Sequence, residues 1–267
     1  MKGYYSARHA SLGGRTIKTG QSRWFVGYKK HTLRVWLRHC QGKVVLAPVV
    51  SWLAPAHRGD ALFLEPSLRY CQGHLDWRPD IVVGDMAYIN LKRQQSIRER
   101  MNVAVVTKLR PDMTLLDEFD DGPVMTCDQG QPLEWLGLDL RDQLHWFGVR
   151  QSDPLCSSCW QRSTCAQEFS FPPGRHEILY GLIPLSSRIA QVLLKQVRPW
   201  IEAAQSYEKN QLGLAKVFLN GLRLAWSHGL LADAVALMRA QAVLCKPPPE
   251  PSMLRELAAK QTLLRFE

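Results

Sequence analysis

No aspartate or glutamate occurs among the first 59 residues of this 267-residue chain; the first acid is Asp60. That segment holds eleven Lys or Arg and carries +11, while residues 60–267 together carry −1, for a net charge of +10. Also missing is any uncharged apolar run of about 18 residues or more, which excludes a membrane-spanning helix. The opening MKGYYSARHASLGG has no apolar stretch suited to a secretion signal. A Gly-rich phosphate loop, a GxSxG elbow and an HExxH helix are all absent, so none of those three chemistries has its motif here. What is present is ample apolar content: 46% of residues are hydrophobic, enough for a sizeable core and too many for a disordered or collagen-like chain.

The charge is therefore a local property. An acid-free basic segment attracts polyanions, nucleic acid foremost, because neutralised phosphates release counterions. A solvated basic face on an ordinary globule would read the same way in sequence. Seven cysteines make an odd count, and three crowd into CSSCWQRSTC. That clustering points to a metal site or free thiols in a reducing compartment, and against a disulfide scaffold.

Periodicity sets out the elements. Residues 23–38, RWFVGYKKHTLRVWLR, are rich in aromatic and β-branched residues and predict a long strand. A turn at 39–43 returns the chain into VVLAPVVSWL, completing a basic β-hairpin. Ala61 to Cys71 predicts a short helix interrupted at Pro66. The apolar run at Ile81, Val82 and Val83 predicts a strand buried on both faces, with Asp85 at its end. An Arg/Gln-rich helix from Ile89 to Met101 and a strand over 103–109 complete an α/β crossover, the pattern in which sites form at strand edges. From Pro111 to about Pro184 helical period is lost. Acids at 112, 117, 118, 120 and 121 precede the cysteines, with β-like pieces such as QLHWFGV at 143–149. Beyond Ser187 helices return. Pro199 is expected to kink or break the first, and the second, Leu212 to Val243, reads as a long helix or helix pair interrupted near Ser227-His228-Gly229. KPPPEP at 246–251 reads as a rigid linker and Met253–Phe266 as an amphipathic terminal helix.

Three groups of residues could carry chemistry. Asp85 follows an apolar strand and precedes a helix, where rigid backbone can aim a carboxylate at a divalent ion. It could equally be an N-cap. Glu202 lies in RPWIEAAQSYEKNQLGL with Lys209 seven residues on, close to the same helix face, so an acid and a base could meet a metal and a phosphate. A solvated ion pair accounts for the same spacing, and Glu208 competes for the acidic role. Cys156, Cys159 and Cys165 have the type and spacing of a zinc knuckle. Cys127 is the first choice of fourth ligand, with His145 or His176 as substitutes. Three loop cysteines without metal remain open.

Taken in order, WFVGYKKHTL, LAPAHRGD, VVGDMAYI, the cysteine cluster and WIEAAQSYEKNQLGLAKVFLNGLRLAW resemble a DDE transposase of bacterial insertion sequences, of the branch with a Cys-rich insertion. The resemblance covers roughly residues 4–243 and implies an RNase H-like α/β fold: a mixed sheet with flanking helices, a Cys-rich β/loop insertion and a helical C-terminal part. It also implies a two-metal centre, in which two Asp and one Glu hold Mg²⁺ (or Mn²⁺) for in-line attack on a DNA phosphodiester. Carried over residue by residue, Asp85 is the second acid, Glu202 the third, and Lys209 the basic residue after it, suited to a terminal phosphate. Tyr88 becomes a DNA-contacting aromatic, and Lys29 and Lys30 of GYKKH become backbone contacts. The implied setting is bacterial cytoplasm at the nucleoid. DNA ends and target are the partners, a homodimer or a full-length transposase further ones, with no membrane.

One departure is as informative as the match. The family's first catalytic Asp lies on a central strand upstream of GYK, yet residues 1–59 contain no carboxylate, and Asp60 matches a non-catalytic position. The expectation is an N-terminally truncated transposase, inactive alone. Residues 1–110 form an incomplete core, 111–185 the acidic and Cys-rich insertion, 186–245 the helical segment completing the core, and 246–267 the linker and terminal helix. The rival is a non-catalytic, zinc-stapled basic DNA-binding protein, or a fragment that regulates full-length transposase.

Overall fold

A computed structural model describes residues 11–16, 22–38, 42, 44–109, 124–127, 129–149, 156, 158–160, 165, 168–174, 176–214 and 221–245. The acidic patch at 112–121, the linker and the terminal helix lie outside the described residues, as does most of the 39–43 turn. Within them the chain is mixed α/β, with four α-helices and three small sheets.

The predicted hairpin is present: β2 (Ser22–Arg38) pairs antiparallel with β3 (Val44–Pro55), from Tyr28↔Pro55 to Arg38↔Val44. A bulge falls where Leu33 faces Val50 and Arg34 faces Pro48, leaving Val49 as the extra residue beside a proline that cannot donate to the ladder. The other half of β2 pairs with β1 (Ser11–Thr16).

A 3-10 turn at Asp60–Phe63 leads into α1 (Leu64–His74). Pro66 does not interrupt this helix. It sits in the first turn, where a missing N–H goes unneeded. β4 (Ile81–Gly84) then pairs parallel with β5 (Ala104–Thr107) across α2 (Leu91–Met101). The crossover is thus as expected, but β4 is not covered on both faces: Val82 is buried while Ile81 is 39% exposed. Strands β6 (Leu133–Asp139), β7 (Leu144–Val149) and β8 (Glu168–Phe171) form a separate antiparallel sheet in the insertion.

Neither Pro199 nor Ser227-His228-Gly229 breaks its helix. Helix α3 runs from Arg188 to Asn210 through Pro199, and α4 from Leu222 to Leu244 through Ser227-His228-Gly229. The proline removes one i→i−4 bond, but α3 is anchored on both sides of it. Ser187 caps its start by accepting from the Ala190 N–H, Ala190 and Val197 are buried, and Glu208 is buried near its end. In α4, Gly229 is buried with the stem of Lys30 running over it.

Alternation then assigns the layers. On β5, Val105 packs with Leu64, Leu68, Val82, Ile97, Met101 and Val103, whereas its neighbour Val106 joins Phe147, Phe171, Leu179, Tyr180, Leu185 and Ala190. On β2, Leu33 faces the first cluster, and Lys30 and Arg34 reach α3 and α4. Both the hairpin and the β4–β5 pair therefore lie between α1–α2 on one side and α3–α4 on the other. Among the described residues no hydrogen-bonded ladder joins these two parts of the middle layer.

Candidate active site

Asp85 stands immediately beyond the C-terminal end of β4. Gly84 lets the sheet close tightly there, since a Cβ at that position would lie 3.1 Å from Thr107 Cγ2. The Asp85 backbone is extended, and its Oδ1 accepts the Met86 N–H at 2.7 Å, capping a single 3-10 turn at Met86–Tyr88. The cap and ligand readings are thus compatible. One carboxylate oxygen serves the turn, and the residue as a whole is exposed.

Glu202 lies on α3, which packs against β4, β5 and β3. Its side chain is 64% exposed and accepts from Arg198 Nε at 3.1 Å, one helical turn back. Lys209, also exposed, sits in the last turn, where a cation suits the helix dipole. The competing acid, Glu208, is buried and committed elsewhere. Lys30 Nζ reaches Glu208 Oε1 at 3.1 Å and Asp233 Oδ1 at 2.5 Å, and the Arg34 guanidinium also binds Glu208. Two cations of β2 and one acid from each of α3 and α4 form one buried cluster. Lys30, expected at a DNA backbone, is thus placed inside the protein. The spacing of Lys30 and Arg34 puts them on one strand face, but their carboxylate partners are 174 to 203 residues away in sequence.

Lys29 is also paired, to Asp60 Oδ1 at 3.2 Å. On the same strand His31 is buried and stacks on Phe63 with centroids 4.1 Å apart. Its Nδ1 lies 3.3 Å from Tyr88 Oη and 3.9 Å from Asp60 Oδ1. Tyr88 therefore turns its hydroxyl inward, toward the hairpin. Burial, then the charges of Asp60 and Asp85, raise the phenol's pKa well above its ordinary value, so it stays protonated. Burial lowers the His31 pKa, against Asp60, which raises it, and with Lys29, which lowers it further. The chain Lys29–Asp60–His31–Tyr88 ties the hairpin to the turn that Asp85 caps. The sequence reading missed this network, because Asp60 and His31 belong to no local motif.

In the insertion, the Cys159 N–H approaches the Cys156 carbonyl at 3.5 Å, and Cys127 packs at the edge of the β6–β8 core. Among the described residues no three His, Cys, Asp or Glu side chains are grouped to hold a metal ion. His145 is not available as a substitute ligand: it is fully buried, its Nδ1 accepts from Trp135 Nε1 at 3.1 Å, and its Nε2–H donates to the Gly181 carbonyl at 2.6 Å. His176, in the segment that follows β8, is buried, with the Leu179 N–H 3.4 Å from its Nδ1. Among the described residues no helix is long and apolar enough to cross a membrane. No protein-family model, curated protein or solved structure matches the chain, so its function is argued from its own residues.

Proposed function

We propose that this chain contributes two of three carboxylates, Asp85 and Glu202, to an RNase H-like centre for DNA strand cleavage and strand transfer, the activity of a bacterial insertion-sequence transposase. The observation that carries the reading is a juxtaposition: Asp85 ends a parallel strand, and the helix bearing Glu202 packs against that strand. Both are exposed carboxylates, the hard oxygen donors that Mg²⁺ or Mn²⁺ prefers. When bound, the cations would supply Lewis-acid activation of the attacking oxygen and stabilise the leaving one. The chain's own residues do the positioning. The Met86 N–H fixes the direction of Asp85, Arg198 holds Glu202 until a cation competes for it, and Lys209 is placed to neutralise a phosphate.

The third carboxylate is not found among residues 1–59, which have none, and the reading takes it from a segment outside them.

The test combines this chain with a separately expressed segment that carries an Asp-bearing strand, together with Mg²⁺ and DNA carrying insertion-sequence terminal repeats. Cleavage should appear only in the combined reaction, and Asp85→Asn or Glu202→Gln should each lower it by two orders of magnitude or more. Nicking by the isolated chain that Asp85→Asn abolishes would remove the need for an outside acid. DNA binding that no combination converts to cleavage favours the rival, a basic DNA-binding or regulatory protein.

The same reading places the protein at the bacterial nucleoid, with DNA and a second transposase chain as partners. It adds structural Zn²⁺ on Cys127, Cys156, Cys159 and Cys165. Because no three of these thiols are grouped in the described geometry, no step is routed through zinc. Elemental analysis should return one zinc per chain, lost in Cys156→Ser/Cys159→Ser.

A further inference from the structure

Helix α4 is built inside out. Its buried positions are small: Ala225, Gly229, Ala232 and Ala240, with Asp233 drawn inward by Lys30. The large apolar side chains stand on the opposite side. Leu224, Leu230, Leu231, Val235, Leu237 and Met238 are each between 42% and 70% exposed. A helix that is apolar all round is normally covered all round, and the outer half of α4 is not.

The outer side chains repeat every seven residues. Leu224, Leu231 and Met238 make one row, Leu230 and Leu237 a second, and the exposed Ser227 and Ala234 lie between them. At 3.6 residues per turn a spacing of seven stays close to one line along the helix. Two ridges therefore flank a groove of small residues, the relief into which a second helix sets its own side chains. Because one surface carries both ridge and groove, two copies related by a two-fold axis fit each other. Leu231 lies seven residues from either end of the Leu224–Met238 row, so a two-fold through it brings the row onto itself.

Charge and area select the occupant. Between Leu224 and Met238 the only Asp, Glu, Lys or Arg is the buried Asp233. Two copies of a +10 chain can meet there without opposing like charges, and a polyanion finds no Lys or Arg on that stretch. The six side chains expose roughly 300 Å² of apolar surface per copy. Interfaces are about 60% apolar, so burying that surface on two copies makes a contact of about 1,000 Å² in total, where specific but weak interfaces begin.

We propose that the outer face of α4 is a self-association surface, on which a second copy of this chain docks helix to helix with Leu231 at the centre. The inference rests on α4 and not on the catalytic reading.

The test is sedimentation velocity on the full chain from about 1 to 100 µM, a range that brackets a micromolar Kd. A dimer should appear as concentration rises. Leu231→Glu and Met238→Glu should each weaken it about tenfold or more, as expected for apolar anchors near an interface centre. Melts at about 1 µM, where mass action disfavours the dimer, should show Tm unchanged, because both side chains are exposed in the single copy. Leu231→Ser should weaken the dimer in the same direction, which keeps the surface testable should a Glu variant fold poorly. A monomer throughout the range would overturn the proposal, as would a dimer that all three variants leave intact. A lower Tm in Leu231→Ser with no change in mass would also overturn it, by showing that the face is covered within one chain.

Discussion

Asp85 carries two loads at one carboxylate, a cap and a candidate metal ligand, and two substitutions separate them. Asparagine caps about as well as aspartate, so Asp85→Asn should change stability by less than about 0.5 kcal/mol while removing the charge a cation needs. Asp85→Ala should cost about 1 kcal/mol more, seen as a lower Tm, because the Met86 N–H loses its acceptor. Histidine sets a second residue-scale expectation. Burial lowers the pKa of both His31 and His145 in the fold. Below their ordinary value of about 6.5 the unfolded chain takes up protons that the folded chain refuses, so stability falls as pH drops from there. Thermal melts between pH 8 and 5 should show this loss, and His31→Gln should flatten part of it.

At the scale of elements, α3 shows how tertiary anchors overrule a local breaker. Proline in a helix interior is disfavoured by about 3 kcal/mol, yet α3 passes through Pro199 because its start and end are both held. Pro199→Ala should therefore raise stability by on the order of 1–3 kcal/mol in denaturant unfolding. The buried cluster behaves oppositely. Glu208→Gln would leave Lys30 and Arg34 short of one negative charge and should cost about 3–5 kcal/mol. The hairpin, the crossover and the helices were legible because each announces itself through local period. Continuity through Pro199 and Gly229 was not, since it depends on what packs against each side.

Across the whole molecule, the described residues include polar ties between the insertion and the core. The chief described one is Arg98 of α2, whose Nε donates to both oxygens of the largely buried Glu177, at 3.1 and 3.0 Å. Arg98→Ala should cost about 3–5 kcal/mol by leaving that carboxylate alone. Hydrogen exchange should quicken across β6–β8 more than across the hairpin, because the tie to α2 is what the variant loses. The middle layer is the other whole-molecule feature. Among the described residues it comprises a hairpin and a parallel pair with no ladder between them.

What the sequence determined by itself was set by short-range rules. Alternation and apolar runs placed the strands, helical spacing placed the helices, and charge counting isolated an acid-free start. It also put Asp85 at a strand end, because a strand that stops at glycine exposes whatever follows. Only the tertiary structure decided which charges remain available to a partner. Lys29, Lys30 and Arg34 look like a DNA face until Asp60, Glu208 and Asp233 arrive from distant segments to neutralise them. Coulombic partners are chosen by proximity in space, and in this fold that proximity spans as many as 203 positions of chain.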